Sequence, residues 1–150
     1  MFWANFFHIY QPPNWPPRII KKTARESYRP LLKILEQHKN LKITLSIPGS
    51  LTEQLAQNRL TDIIKRIKKL ANRKQIELVG TALYHPILPL IPKQEIIRQI
   101  RLNNVINKKY FGRAYQPKGF FPPEMAYNLS LIHISEPTRP LYISYAVFCL

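Results

Sequence analysis

Residues 42–80, KITLSIPGSLTEQLAQNRLTDIIKRIKKLANRKQIELVG, contain two short apolar runs separated by two segments of helical period. The runs at 42–47 and 76–80 predict strands. Ser50 and Glu53 have the spacing of a capping box, which predicts that a helix starts there. The second segment carries apolar residues on one face and Lys or Arg on much of the rest, the apolar positions being Leu60, Ile63, Ile64, Ile67, Leu70 and Ala71. This order indicates a parallel sheet with helical crossovers.

The same alternation continues on both sides of this stretch. Residues 2–9 are nearly continuously apolar, which predicts a strand covered on both faces, and 119–121 predict a short fourth strand. One amphipathic helix is expected between the first two strands, from the spacing of Tyr28, Leu31, Leu32 and Leu35. Another is expected over 93–110, ending before Gly112 and burying Ile96, Ile97, Ile100 and Val105.

These elements predict an α/β fold, a partial (β/α) barrel of the seven- or eight-stranded type with mostly parallel strands. Because a closed eight-stranded barrel takes about 250 residues, we expect the barrel to be truncated after about the fourth strand. The 150 residues, 45% of them hydrophobic, suffice for one domain.

Composition narrows the function classes. No apolar run approaches the about 20 residues of a membrane span, and the N-terminus lacks a signal peptide's basic flank, so we expect a cytoplasmic protein. The single cysteine excludes a disulfide framework within the chain. Lys and Arg number 23 against 8 Asp and Glu, and the net charge of +15 raises the question of nucleic-acid binding.

Residues 129–150 differ from the rest of the chain. Two blocks, LSLIHISEPTR at 129–139 and ISYAVFCL at 143–150, resemble translated sequencing-adapter DNA, a transposase end followed by a flow-cell end. We therefore expect 129–150 to be a non-native tail. Residues 1–128 are then the N-terminal half of a barrel.

Functional groups of such barrels cluster at the carboxyl ends of the strands. Polar, aromatic and acidic side chains that suit a polyhydroxylated ligand follow the predicted strands: His8, Tyr10, Gln11, Tyr84, His85 and Glu124. Glu124 follows two prolines and is either a nucleophile for glycosyl transfer or the cap of the next helix. His8 is either a ligand contact or a hydrogen-bonded core histidine, and His85 with Pro86 is equally compatible with a turn. Glu77, inside the third strand, either faces the barrel or is buried and paired.

Three segments resemble glycoside hydrolase family 57. Residues 7–12, FHIYQP, are similar to its first motif, with Tyr10 in place of a second histidine. Residues 75–80, QIELVG, continuing through YHPILP at 84–89, resemble the second motif. Residues 119–124, GFFPPE, resemble the third, with Phe121 where the family often has tryptophan.

The resemblance implies a retaining enzyme that acts on α-glucans through an incomplete barrel. By this resemblance Glu124 is the catalytic nucleophile, and the substrate-binding residues are His8, Tyr10, Gln11, Glu77, Tyr84, His85 and Phe121. The family's general acid is an aspartate of a later motif, beyond Asn128, so we expect the chain itself to lack glycosidase activity. No cofactor or metal is implied. The expected partner is an oligo- or polysaccharide, with no nucleic acid and no membrane.

Three alternatives stay open. A nucleic-acid-binding protein would use the basic segment 61–74, but no stacking platform or base-reading motif accompanies it. A metal-dependent polysaccharide deacetylase needs clustered ligands, and residues 1–128 offer only Asp62, His8, His38 and His85 of the Asp and His types. A non-catalytic carbohydrate-binding or scaffold protein would be consistent with the altered motif positions Tyr10 and Phe121.

Overall fold

The structure is a computed structural model and describes residues 4–128. Its strands are β1 (Phe6–His8), β2 (Ile43–Ser46) and β3 (Ile76–Val79), and its α-helices are α1 (Pro17–Thr23), α2 (Arg29–Gln37), α3 (Gly49–Gln57), α4 (Thr61–Asn72) and α5 (Lys93–Phe111). A π-helical turn, Ala24–Tyr28, joins α1 to α2. Short 3₁₀ turns span Leu88–Leu90, Gly112–Ala114 and Pro123–Met125.

The three strands form a parallel sheet in the order β1, β2, β3, which confirms the α/β fold with parallel strands. The fourth strand expected at 119–121 is reduced to one parallel bridge between Gly80 and Phe120, flanked by two backbone hydrogen bonds of 2.8 Å. The next N–H that would continue this ladder after Phe121 would come from position 123, which is proline and has no N–H to donate. The short fourth strand predicted at 119–121 therefore pairs at Gly80, directly after β3, in the predicted parallel direction, but only as a single bridge.

The strand register separates two faces. The outer face packs against the helices and is fully apolar, with Ile43, Leu45, Ile76 and Leu78 at most 5% exposed. The inner face carries Phe6, Thr44 and Glu77 at one level and His8, Ser46 and Val79 at the next. The expectation that the first strand is covered on both faces was wrong, since Phe7 is 38% exposed. Among the described strands only β2 lies beside β1, so β1 is an edge.

The helix between the first two strands is longer and less regular than expected. α1, the π-helical turn and α2 follow one another directly, and the buried stripe uses Tyr28, Leu32 and Leu35. The apolar face of α4 is confirmed, because Ile63, Ile64, Ile67 and Leu70 are buried in the main core.

The capping box expected at Ser50 and Glu53 is not formed. Pro48 precedes the first residue of α3, Gly49, and no side chain of its own segment caps the helix. Instead the Gly49 N–H donates a 2.7 Å hydrogen bond to Oδ1 of Asn103 on α5. A Cβ on Gly49 would lie 2.9 Å from a Leu83 side-chain carbon, so glycine permits this close approach of α3 to its neighbours. A tertiary contact therefore replaces the local cap.

α5 ends as predicted, at Gly112, whose φ of +60° suits glycine. Its buried face differs from the prediction. Ile96 is buried, but Ile97 and Val105 are 39% and 58% exposed. The buried positions are instead mostly polar, namely Gln99, Asn103 and Asn107, together with Phe111.

Two expectations concern segments that the structure does not describe. The first predicted strand begins at residue 2, so its positions 2 and 3 lie outside the described residues, and the expected adapter-derived tail at 129–150 lies wholly outside them. Between residues 4 and 128, none of the helices has the length and apolar character needed to cross a membrane.

Candidate functional site

The inner face ends in a cluster of rings at the carboxyl edge of the sheet. His8 and His85 stack with centroids 4.7 Å apart, and Tyr10 stacks on His85 at 4.4 Å. Phe121 contacts both Phe6 and His8, each at 4.9 Å. The structure thus brings together four of the predicted site residues, His8, Tyr10, His85 and Phe121.

These contacts show that the sheet is strongly curved. β1 and the segment around Phe120 are separated by two strands, and strands lie about 4.8 Å apart, so a flat sheet would hold them roughly 14 Å apart. Rings standing upright on a flat sheet would stay that far apart, so the 4.9 Å between the centroids of Phe6 and Phe121 favours a concave inner face. The ring cluster covers the inner face at the carboxyl edge of the sheet.

His8 is a neutral imidazole with unused hydrogen-bonding capacity. Burial, and then the nearby charge of His85, lower the pKa of His8 to about 4. Neither of its ring nitrogens has a hydrogen-bond partner within the described part of the chain. This argues against the alternative of a hydrogen-bonded core histidine. A neutral ring offers one donor and one acceptor, which matches a sugar hydroxyl.

Glu124 lies beside this cluster and is open to solvent. Its Oε1 is 3.5 Å from Nδ1 of His85, and the Glu124 side chain is 67% exposed against 5% for His85. Burial lowers the pKa of His85, and the Glu124 charge partly opposes that shift. Burial and the same carboxylate raise the pKa of Tyr10. The carboxylate therefore acts electrostatically on two rings of the cluster.

The backbone at these positions is unusual. His85, Glu124 and Met125 have φ of 58°, 55° and 55°, and only two other non-glycine residues of the described chain have positive φ. Such conformations cost about 1 kcal/mol or more each and concentrate at functional sites. Glu124 lies in the middle of the 3₁₀ turn Pro123–Met125, with no α-helix beginning there. The alternative that Glu124 caps a following helix is therefore wrong for the described residues.

The other predicted site residues lie around this centre. Burial raises the pKa of Tyr28, and the nearby Gln11 amide opposes that rise, which places Gln11 beside the π-helical turn. Tyr84 is 48% exposed, and its N–H donates to Oε1 of Gln99. Glu77 is exposed on the inner face, one register step below His8. The alternative of a buried, paired Glu77 is wrong.

A buried amide network escaped the sequence analysis. Nδ2 of Asn107 donates to the Ile47 carbonyl at 3.0 Å, and its Oδ1 accepts from the Thr52 hydroxyl at 2.8 Å. Nδ2 of Asn103 donates to the Tyr115 hydroxyl at 3.1 Å. Together with the bond to Gly49, these contacts fix the loop that follows β2 onto α5. The signal was the four-residue spacing of Asn103 and Asn107.

Several buried polar atoms at this edge have no partner. The hydroxyls of Ser46, Ser50 and Thr81 and Nε2 of His85 are buried without a hydrogen bond among residues 4–128. Buried polar groups are rarely left unsatisfied in native proteins. The carboxyl edge of the sheet therefore holds hydrogen-bonding capacity that a hydroxylated ligand or ordered water can use.

The cluster offers no ligand set for a metal ion. No group of three or more His, Cys, Asp or Glu side chains within residues 4–128 is arranged to hold a metal. The deacetylase alternative, which needs such a set, gains no support from the described residues.

Comparison with known proteins assigns the chain to a family. A family model described as Glycosyl hydrolase family 57 matches residues 4–139. This match includes every described residue and the first part of the 129–150 segment, whose adapter origin stays a prediction.

Individual relatives agree with the family match. An α-amylase from Pyrococcus horikoshii is 34% identical over 125 residues, which are 83% of this chain and 19% of the relative. Alpha-amylase 1 from Dictyoglomus thermophilum is 32% identical over 91% of this chain and 20% of the relative. A crystal structure of 4-alpha-glucanotransferase from Thermococcus litoralis superposes with a TM-score of 0.79 at 27% identity, over 87% of this chain and 20% of that one. The chain spans about a fifth of the length of these relatives, and it belongs to glycosyl hydrolase family 57.

Proposed function

We propose that this chain is the nucleophile-bearing part of a retaining glycoside hydrolase or glucanotransferase that acts on α-glucans. The observation that carries the proposal is Glu124, an exposed carboxylate on a positive-φ turn, 3.5 Å from a buried imidazole. Relatives of the chain are named α-amylase and 4-alpha-glucanotransferase, which supports an α-glucan substrate. The concave inner face supports the proposal of an incomplete (β/α) barrel.

In this mechanism Glu124 attacks the anomeric carbon of the sugar. The bond from that carbon to the glycosidic oxygen breaks, a general acid protonates the leaving oxygen, and a glycosyl ester forms on the carboxylate. Water or the hydroxyl of a second sugar then displaces the carboxylate. Two inversions at one carbon retain its configuration.

The remaining polar groups would bind the sugar. The neutral His8 ring can donate to one hydroxyl and accept from another, and Gln11 adds an amide. Tyr10, Tyr84 and Phe121 offer ring faces on which the apolar face of a pyranose can stack. Glu77 would line the cleft lower on the inner face.

A retaining mechanism also needs a second carboxyl about 5–5.5 Å from the first. Within residues 4–128, four acidic side chains pair with arginine, namely Glu26, Glu36, Asp62 and Glu95. Glu53 lies on α3, and Glu77 lies one register step below His8. By the family resemblance, in which the general acid is an aspartate of a later motif, we place that group outside the described part and expect residues 1–150 alone to show no glycosidase activity.

The test uses a longer protein that carries residues 1–128 as the start of its barrel. With a maltooligosaccharide, Glu124→Gln should lower kcat by roughly 10³-fold or more, because a neutral amide cannot form the ester intermediate. Glu53→Gln on α3 is the matched control and should stay within about twofold. Activity of Glu124→Gln within tenfold of the wild type would contradict the assignment.

A non-catalytic carbohydrate-binding protein is the second candidate, because Tyr10 and Phe121 depart from the family motifs. The same experiment separates the two functions. If the wild-type protein binds maltooligosaccharides and never cleaves or transfers them, the binding function is correct and the enzymatic one is not.

A further inference from the structure

His85 contacts Glu124 through Nδ1, and little of its side chain is open to solvent. Its side chain is only 5% exposed, whereas that of Glu124 is 67% exposed. Nδ1 of His85 faces Oε1 of the carboxylate at 3.5 Å, and among residues 4–128 no lysine or arginine forms an ion pair with Glu124. The buried ring is therefore positioned to act on the exposed carboxylate.

The orientation of the His85 ring is fixed from several sides. It stacks on Tyr10 with an interplanar angle of 16° and on His8 with an angle of 27°. Its backbone has φ of 58°, and Pro86 follows and restricts the chain further. Because the ring cannot turn freely, the carboxylate must adapt to the ring.

Electrostatics decide which nitrogen of the neutral ring carries the proton. The titratable groups that face the ring are His8 on β1, Tyr10 just after β1, and Glu124 on the 3₁₀ turn. A backbone hydrogen bond at His85 itself also raises the pKa of the ring. Glu124 is the only carboxylate among these titratable groups, and Nδ1 is the nitrogen that faces it. An N–H placed there points at negative charge, whereas Nε2 is buried without a partner in the described chain. The Nδ1–H tautomer is therefore favoured.

We propose that His85 is a positioning residue for Glu124, its Nδ1–H donating to Oε1 and leaving Oε2 as the attacking oxygen. The proposal rests on the proposed function, since it assigns His85 to the nucleophile instead of the sugar. The separation of 3.5 Å exceeds a normal N–H···O bond, and such contacts tighten when substrate binds. During attack Oε2 bonds to the anomeric carbon, Oε1 becomes the ester carbonyl oxygen, and the proton stays on Nδ1 throughout.

Nuclear magnetic resonance of the 150-residue chain tests this pairing without any turnover. At neutral pH the imidazole nitrogen shifts of His85 should identify the Nδ1–H tautomer, and an Nε2–H tautomer would overturn the proposal. Replacing Glu124 by glutamine should lower the pKa of His85 further, because a neighbouring negative charge is lost. Glu53→Gln, on α3, should leave that pKa unchanged. An equal or absent shift in both variants would also overturn the proposal.

The kinetic test separates positioning from sugar binding in the longer protein. His85→Ala should lower kcat by about 100-fold with KM within about threefold. His85→Asn should stay within about tenfold of the wild type, because asparagine tolerates positive φ and its amide N–H can replace Nδ1–H. A raised KM at unchanged kcat would mean that His85 binds sugar. Since the tautomer and pKa measurements need no activity, failure of the Glu124 assignment leaves them interpretable on their own.

Discussion

The outer face of the sheet buries Leu45 and Leu78 to 2% and 3% exposure against helices that match them. The inner face, formed by the alternate residues of the same strands, carries the unpartnered nitrogens of His8 and the exposed carboxylate of Glu77. His85 and Glu124, whose backbones have positive φ, lie at the carboxyl edge of the inner face. The outer face therefore contributes most of the stability, and the inner face carries the polar groups that have no partner in the described chain.

The largest effect expected from this contrast is on stability. Leu45→Ala should lower the free energy of unfolding by about 3 kcal/mol, because it opens a cavity in a packed core. Thr44→Ala, the neighbouring residue on the inner face, should cost less than about 1 kcal/mol. Urea unfolding of both variants makes the comparison, and equal losses would show that the two faces do not differ as described.

The second-largest loss of stability is expected when the buried network of Asn103 and Asn107 is broken. Asn107→Ala removes the side-chain partner of the Ile47 carbonyl and one of the two partners of the Thr52 hydroxyl, and losing such bonds in the interior costs about 2 kcal/mol. Asn72→Ala, at the exposed end of α4, serves as the control and should change stability by less than about 0.5 kcal/mol. Should Asn107→Ala prove as mild as the control in urea unfolding, the network does not hold the β2–α3 loop.

His8 should produce a pH dependence that belongs to the inner face. Its pKa is about 4 in the folded chain against 6.5 unfolded, so the unfolded chain binds more protons in this window. Stability is full above pH 6.5 and falls as the pH drops towards 4, by about 2 kcal/mol once solvent screening is included. Urea unfolding at several pH values should show a shallower decline for His8→Gln. Parallel curves for the two proteins would contradict a buried, neutral His8.

Much of the fold follows from local pattern. Apolar periodicity predicted the buried face of α4, and the glycine stop signal predicted the end of α5, because both are local properties of the chain. The start of α3 was located to within one residue, but its capping contact was not, because the Gly49 N–H donates to Asn103, which is 54 residues away in sequence. The short fourth strand is reduced to one bridge, in which Gly80 pairs with Phe120. Both features depend on contacts between residues distant in sequence, which local pattern does not contain.

The candidate site shows the same division. The strand-end rule located the region of His8, His85 and Glu124, and the structure brings these three side chains together. The rule could not show that His85 is buried against Glu124, because that depends on the positive φ of both residues and on the curvature of the sheet. Nor could it show that Gln11 lies beside Tyr28.

Covalent trapping tests the role of Glu124 most directly. A maltosyl fluoride whose fluorinated ring slows hydrolysis of the ester should leave a stable glycosyl adduct on the longer protein that carries residues 1–128. We expect mass spectrometry of the digested protein to place the adduct on Glu124, and Glu124→Gln to abolish it. An adduct on another carboxylate would contradict Glu124 as the nucleophile. A product of inverted anomeric configuration, formed from an unmodified maltooligosaccharide, would contradict a retaining mechanism.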